Sequence, residues 1–134
     1  MLDNEKEQLL HNAKTIAIVG LSNNPDRPSN RIARYLQNEG FRIIPVNPLA
    51  EKVLGEKSYP DLKSVPCAVD IVDIFRRSEN IHDIVSEACD LDIPAVWVQV
   101  GIDCSEETLA MAEASNIKLI KDCCIMVEHR RLKA

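Results

Sequence analysis

Apolar and polar positions change their spacing repeatedly along this chain. Residues 15–20, TIAIVG, are β-branched and almost wholly apolar, as a short central strand covered on both faces requires. Over residues 29–39 the spacing becomes helical. Ile32, Ala33 and Leu36 share one face, Arg31, Arg34 and Asn38 fall elsewhere, Pro28 suits the first turn and Gly40 marks the stop. FRIIPVNP (41–48) predicts a second strand, ended or reshaped by its two prolines. Turn chemistry at Gly55 and Pro60 precedes a short predicted helix at 61–65, and AVDIVDIF (68–75) reads as a third strand. Ile81, Ile84, Val85, Ala88 and Cys89 then follow an i, i+3, i+4, i+7, i+8 repeat, which places Cys89 in the core. AVWVQVG (95–101) predicts a fourth strand. Ser105 caps a helix whose first turn carries Glu106 and Glu107, and IKLIK (117–121) is the fifth strand. Residues before 14 predict a leading helix.

Five strands alternating with helices predict an α/β chain. The expectation over residues 1–134 is a single Rossmann-like, doubly wound domain with a mainly parallel five-stranded sheet. Such a sheet binds ligands at the carboxyl ends of its strands, near the point where strand order reverses. Here those ends are GLSNNPDRPS, VNP, IFRRS, QVGID and KDCC, and they should form one rim.

The first of these segments sets Gly20 and several backbone N–H groups ahead of a helix start, which is a natural phosphate seat. Ser22, Asn23 and Ser29 add short donors and Arg27 adds charge. The same glycine also suits an ordinary turn of any α/β fold. A nicotinamide dinucleotide fits poorly, because Ser22 and Pro25 stand where the glycine fingerprint needs glycine. The acidic residue expected after the second strand is replaced by Asn47 and Pro48. No GxxxxGK[ST] loop is present, which excludes a P-loop. The pattern suits a nucleotide other than NAD or ATP.

Composition narrows the classes further. Of 134 residues, 46% are hydrophobic and 28% charged, enough for a real core, while 4% aromatics make that core aliphatic. A net charge of −5 disfavours a general nucleic-acid binder. Against that balance, Arg27, Arg31, Arg34 and Arg42 lie close in sequence, with pairs at Arg76–Arg77 and Arg130–Arg131. Clustered arginine on an acidic chain suits one small, highly charged anion, or else a solvated surface. No apolar stretch approaches the ~20 residues of a membrane span, and MLDNEKEQLLHNAK lacks a signal-peptide layout, so the expected compartment is the cytoplasm. Five cysteines without a CxxC pair argue against a disulfide framework or structural zinc, and predict small core residues.

Several ordered motifs carry a resemblance. VGLSNNPDRPS, RIIPVNP, VLGEKSYPDL, VDIVDIFRRSE, VWVQVGI and the terminal EHRRL resemble those of the small bacterial coenzyme A-binding proteins. These stand-alone domains are similar to the amino-terminal CoA-binding domain of the succinyl-CoA synthetase alpha subunit. The resemblance covers residues 14–132 and implies a Rossmann-like fold binding coenzyme A (CoA) or an acyl-CoA across the rim. It implies that the loop from Gly20, Leu21, Ser22 and Asn23 through Arg27, Pro28 and Ser29 holds the phosphates. Asn47 and Pro48 would flank the adenosine end. Ile74, Phe75, Arg76 and Arg77 would form one wall, and Gln99, Val100 and Gly101 another. The pyrophosphate and 3′-phosphate of CoA give arginines beside helix-end amides a purpose.

Catalysis in the synthetase relative uses a phosphorylated histidine on a separate ligase domain, and these 134 residues are expected to be too few to include one. His11, His82 and His129 have no evident partners and read as lone surface histidines. There is no Ser/His/Asp arrangement or paired carboxylate set. Asp73, near a strand end, could help the rim. The expectation is a non-catalytic, metal-free binding module, with a protein partner or homo-oligomer transmitting any effect of binding. The alternatives are an enzyme using NAD(P) or another nucleotide, and a redox-responsive protein using Cys123 or Cys124, either of which could form a mixed disulfide with CoA if exposed.

Overall fold

Each of the five predicted strands forms, and all five join one parallel sheet. The computed structural model describes residues 1–134. In chain order it runs through α1 (Asp3–Asn12), β1 (Thr15–Val19), α2 (Pro28–Asn38) and β2 (Arg42–Val46). A small antiparallel hairpin, β3 (Lys52–Val53) and β4 (Glu56–Lys57), and a 3-10 turn at Leu62–Ser64 follow. The chain continues as β5 (Ile71–Ile74), α3 (Ser78–Asp90), β6 (Ala95–Val98), α4 (Glu106–Ala114), β7 (Lys118–Ile120) and α5 (Ile125–Leu132). Sheet order is β2-β1-β5-β6-β7, so the direction of winding reverses between β1 and β5. This is the Rossmann-like α/β fold expected from the alternating pattern.

Strand periodicity sorts the core into two layers. Ala17, Val19, Val72, Ile74, Val96 and Val98 face Ile81, Val85 and Ala88 of α3 and Ala112 of α4. Their neighbours Ile16, Ile18, Ile71, Ala95 and Trp97 face Leu10 of α1, Ile32, Ala33 and Leu36 of α2, and Ile125 of α5. A fully buried side chain of this kind contributes about 1.5–3 kcal/mol by leaving water, which is why aliphatic residues dominate both layers. Trp97 is the one large aromatic in the sheet. It is wholly buried because its Nε1 donates to the Cys123 carbonyl at 3.0 Å.

Several expectations change at the edges. The second, third and fourth strands are shorter than their apolar runs, and residues flanking the second and third still make single backbone bonds. Asn47 donates to Tyr59 and Asp70 to Thr15, both by backbone N–H. The helix expected at 61–65 is a single 3-10 turn, with the Asp61 carboxylate accepting from the Ser64 N–H at 2.9 Å. Cys89 is half-buried, packed against the core rather than within it. Neither the hairpin nor α5 was expected. The hairpin strands are two residues each, and α5, only two turns long, is held by tertiary partners. Arg131 reaches Asp3 of α1 and Glu128, and Lys6 of α1 reaches Glu128 at 2.7 Å.

Candidate functional site

The strand ends gather as a rim, and its first loop is held by a set of hydrogen bonds. Gly20 has φ of +87° and donates its N–H to the Val46 carbonyl at 2.9 Å. Ser22 is clamped from both sides, with its N–H donating to Ser29 Oγ at 3.1 Å and its carbonyl accepting from Asn30 Nδ2 at 2.8 Å. Asn47 Nδ2 donates to the Leu21 carbonyl at 2.9 Å, while Asn47 Oδ1 accepts from the Leu49 N–H. Beyond Ser22, Asn24 donates to Ser22 Oγ and Asp26 to Asn24 Oδ1, turns made by short polar side chains.

These clamps consume the loop's carbonyls and leave donors. The N–H groups of Leu21, Asn23, Ser29 and Asn30 make no hydrogen bond within the chain. Helix α2 starts at Pro28, has no side-chain cap and carries no acid in its first turn. Its positive end and free amides therefore favour an anion. By contrast α4 is capped by Ser105, which accepts from the Thr108 N–H, and opens with Glu106 and Glu107.

The opposite wall comes from the segment after β5. Arg76 and Arg77 are exposed and join no ion pair. A β-carbon on Gly20 would lie 3.1 Å from Cδ of Arg76, so the arginine stem runs directly past the first loop. An open groove of about 740 Å³ is lined by Phe75, Arg76, Arg77, Glu79, Asn80 and Ile102. A second cleft of about 190 Å³ shares Arg76 and Asn80, extends over Val19, Val46, Pro48 and Leu62, and carries the acids Asp61, Asp83 and Glu87, none of which lines the first groove. The two meet at the β1/β5 reversal, where an open α/β sheet binds its ligand.

Not every residue expected at the rim presents a side chain there. Leu21 and Ile74 are wholly buried, so only their backbone borders the site. Ser29 is 5% exposed and accepts from the loop itself. Gln99 is 4% exposed, and its Oε1 accepts from the Ile125 N–H, fixing the start of α5. Asn23, Arg27, Pro28, Pro48, Val100 and Gly101 are exposed, and Phe75 is half-buried against the core. Asn30, Asn80 and Ile102 were missed. Asn30 read only as part of a helix, although Ser-Asn beside a predicted helix start signals side-chain bonds to the loop.

Other candidates change character. Asp73 does not help the rim as a surface acid; it is wholly buried, and burial holds its carboxyl well above the usual range. His129 is not a surface histidine, because it is 7% exposed and its Nδ1 lies 2.7 Å from Tyr35 Oη. Cys123 and Cys124 are half-buried, and burial raises the Cys123 thiol, which opposes thiolate chemistry there. No group of His, Cys, Asp and Glu residues is placed to hold a metal ion, and no helix is long and apolar enough to cross a membrane.

Comparison with known proteins identifies the family and the fold. A family model described as a CoA binding domain matches residues 14–130. The chain belongs to the CoA binding domain family. This CoA binding domain is 39% identical over 125 residues to the uncharacterized protein YneT of Bacillus subtilis, covering 93% of this chain and 92% of that one. Its fold matches a solved hypothetical protein from Pyrococcus horikoshii with a TM-score of 0.95 and 31% identity, over 100% of this chain and 94% of the other. It is also 31% identical over 111 residues to acetate–CoA ligase (ADP-forming) II of Archaeoglobus fulgidus, covering 81% of this chain but 16% of the ligase. The likeness to the ligase is therefore confined to one small part of a much longer protein.

Proposed function

We propose that this CoA binding domain holds CoA or an acyl-CoA across the rim and performs no chemistry on it. One observation carries the reading. The uncapped, acid-free start of α2 follows a loop whose Gly20 lies against the stem of Arg76, and neither Arg76 nor its exposed neighbour Arg77 is held in an ion pair. CoA brings a pyrophosphate and a 3′-phosphate, which suit helix-end amides and guanidinium groups. The first-loop amides take the pyrophosphate, Arg76 and Arg77 meet phosphate charge, and the groove beside Phe75 and Ile102 accepts the pantetheine arm. Its volume of about 740 Å³ is that of a small-molecule site.

A non-catalytic role is supported by the absence of an acid–base pair or nucleophile in the groove. The side chains there that titrate are Glu79 and the two arginines, and Glu79 has no proton-transfer partner among its lining residues. An NAD enzyme is disfavoured because Asn47, not an acid, stands after β2 and spends its amide on the Leu21 carbonyl. Regulation by a bound acyl-CoA would act through a protein partner or a second copy that distinguishes filled from empty sites. Isothermal titration of the reduced protein with CoA, NAD and ATP tests the reading. Saturable CoA binding with weak or absent NAD binding supports it. No CoA binding, or tighter binding of NAD, overturns it.

A further inference from the structure

Buried side-chain nitrogen and oxygen atoms in this chain have hydrogen-bond partners, with three exceptions. They are Oδ1 of Asn30 and both carboxyl oxygens of Asp73. The exceptions share one layer and one end of the sheet. Asp73 precedes Ile74, the last residue of β5, and stands in register between Ile18 and Trp97. Like Ile18 and Trp97, it faces the layer of α1, α2 and α5. Asn30 lies in the first turn of α2, 2% exposed, and Ile32 and Ala33 of the same helix pack in that layer.

We propose that Asp73 and Asn30 form one buried polar link that holds the first loop in its ligand-accepting shape. The argument is one of donors and acceptors. With Asp73 ionised, the layer contains three acceptors, no donor for them and an unpaired charge, which is the costliest arrangement a core can hold. With Asp73 as a carboxylic acid, its O–H is the missing donor. It reaches Asn30 Oδ1 directly, or through one enclosed water that can also donate to the remaining carboxyl oxygen. Burial favours that form, and no charged neighbour opposes it. The link then continues outward. Asn30 Nδ2 donates to the Ser22 carbonyl, and the next N–H in the chain, that of Asn23, is free for an anion.

The titratable groups on the surrounding elements are engaged elsewhere or exposed. On α2, Tyr35 pairs with His129 of α5, and Arg31 and Arg34 are exposed. Glu128 of α5 pairs with Lys6 of α1 and with Arg131. Cys123 and Cys124, before α5, are half-buried. None contributes to the state of Asp73, so its proton answers to burial and to its acceptor alone. Asp73 is thus a positioning residue, acting on the loop through Asn30. Its effect on a ligand rests on the CoA reading, but its effect on the loop does not.

The full chain is compared as wild type, Asp73→Asn and Asp73→Leu by amide hydrogen exchange, with infrared spectroscopy of the carboxyl band. The leucine variant removes the donor, and the hydrogen-bonded loop amides of Ser22 and Asn24 should exchange about tenfold faster relative to those of β6. The asparagine variant keeps an N–H donor and should restore the loop's protection. The wild type should show a carboxylic-acid band at neutral pH that both variants lack. In Asn30→Ala that band should shift to the position of an acid without its acceptor, a readout that does not need the leucine variant to fold. Unchanged loop exchange in a folded Asp73→Leu protein, no acid band in the wild type, or an unshifted band in Asn30→Ala overturns the link. Calorimetry with CoA is run alongside. Failure to bind CoA would remove the ligand assignment while leaving the loop measurement to decide the link.

Discussion

Gly20 sits so close to Phe75 that a β-carbon on the glycine would collide with the phenylalanine's carbonyl oxygen. The two residues directly follow adjacent strands β1 and β5, and the Phe75 N–H donates to the Val19 carbonyl at 2.8 Å, so neither backbone can withdraw without breaking the pairing of those strands. The φ of +87° at Gly20 adds a second reason for glycine. Gly20→Ala should therefore destabilise the protein by about 2–4 kcal/mol, from left-handed strain plus overpacking. Denaturant unfolding of the purified variant measures this. A loss under about 0.5 kcal/mol would mean that β1 and β5 can part at the rim.

Arg76 and Arg77 offer a cleaner test of binding than the glycine, because they are exposed and unpaired. Their joint replacement by alanine should leave stability within about 0.5 kcal/mol, as for ordinary surface positions. CoA affinity should fall by about 10- to 100-fold, the range of one or two charge-assisted hydrogen bonds. Dephospho-CoA discriminates the contact. If the pair meets the 3′-phosphate, the double variant loses more affinity for CoA than for dephospho-CoA. Equal losses would place the arginines on the pyrophosphate, and no loss would take them out of the site.

The layout of sheet and rim was legible because periodicity reports which faces are covered. The runs around Ile16–Ile18 and Val96–Val98 announced central parallel strands, and Ile81, Val85 and Ala88 announced the helix that covers them. What periodicity does not report is the partner of a polar side chain. Asn47 was read beside a ligand, yet its amide is spent on Leu21 and Leu49. Asp73 stood one residue from a strand end, where an acid usually meets water, and only the closing of α2 and α5 over β5 shows that it does not. Helix α5 escaped notice for a related reason. Its short amphipathic stretch is fixed by contacts to α1, which lies at the other end of the sequence.

That contact between the two ends of the chain has its own pH signature. Hydrogen bonds from Arg131 and then Lys6 hold the Glu128 carboxyl down at about 2, against an ordinary value of 4.5. A depressed carboxyl contributes stability that is complete above its unfolded value and is lost as pH falls through the folded one. The wild type should therefore lose thermal stability between about pH 4.5 and pH 2 partly through Glu128. Glu128→Gln should start less stable at neutral pH and show a shallower decline across that window. Parallel acid titrations of Tm check this, and equal slopes would show that Glu128 is not what ties α5 to α1.

Asp73 predicts the opposite dependence. Burial raises its carboxyl well above the unfolded value of 3.8, so the folded state holds a proton that the unfolded state has released. Stability from that proton is fully present below about pH 4 and is lost as pH rises toward the folded value. Replacing the acid by an amide of the same shape removes this loss and keeps a donor for Asn30. Asp73→Asn should accordingly match or fall below the wild type near pH 4, and exceed it by an amount that grows through neutral to alkaline pH. Melting temperatures of the two proteins measured across that range decide the point. A difference that stays flat with pH would mean that Asp73 ionises in the folded core at an ordinary pH, with a compensating partner brought to it by motion of α2 or α5.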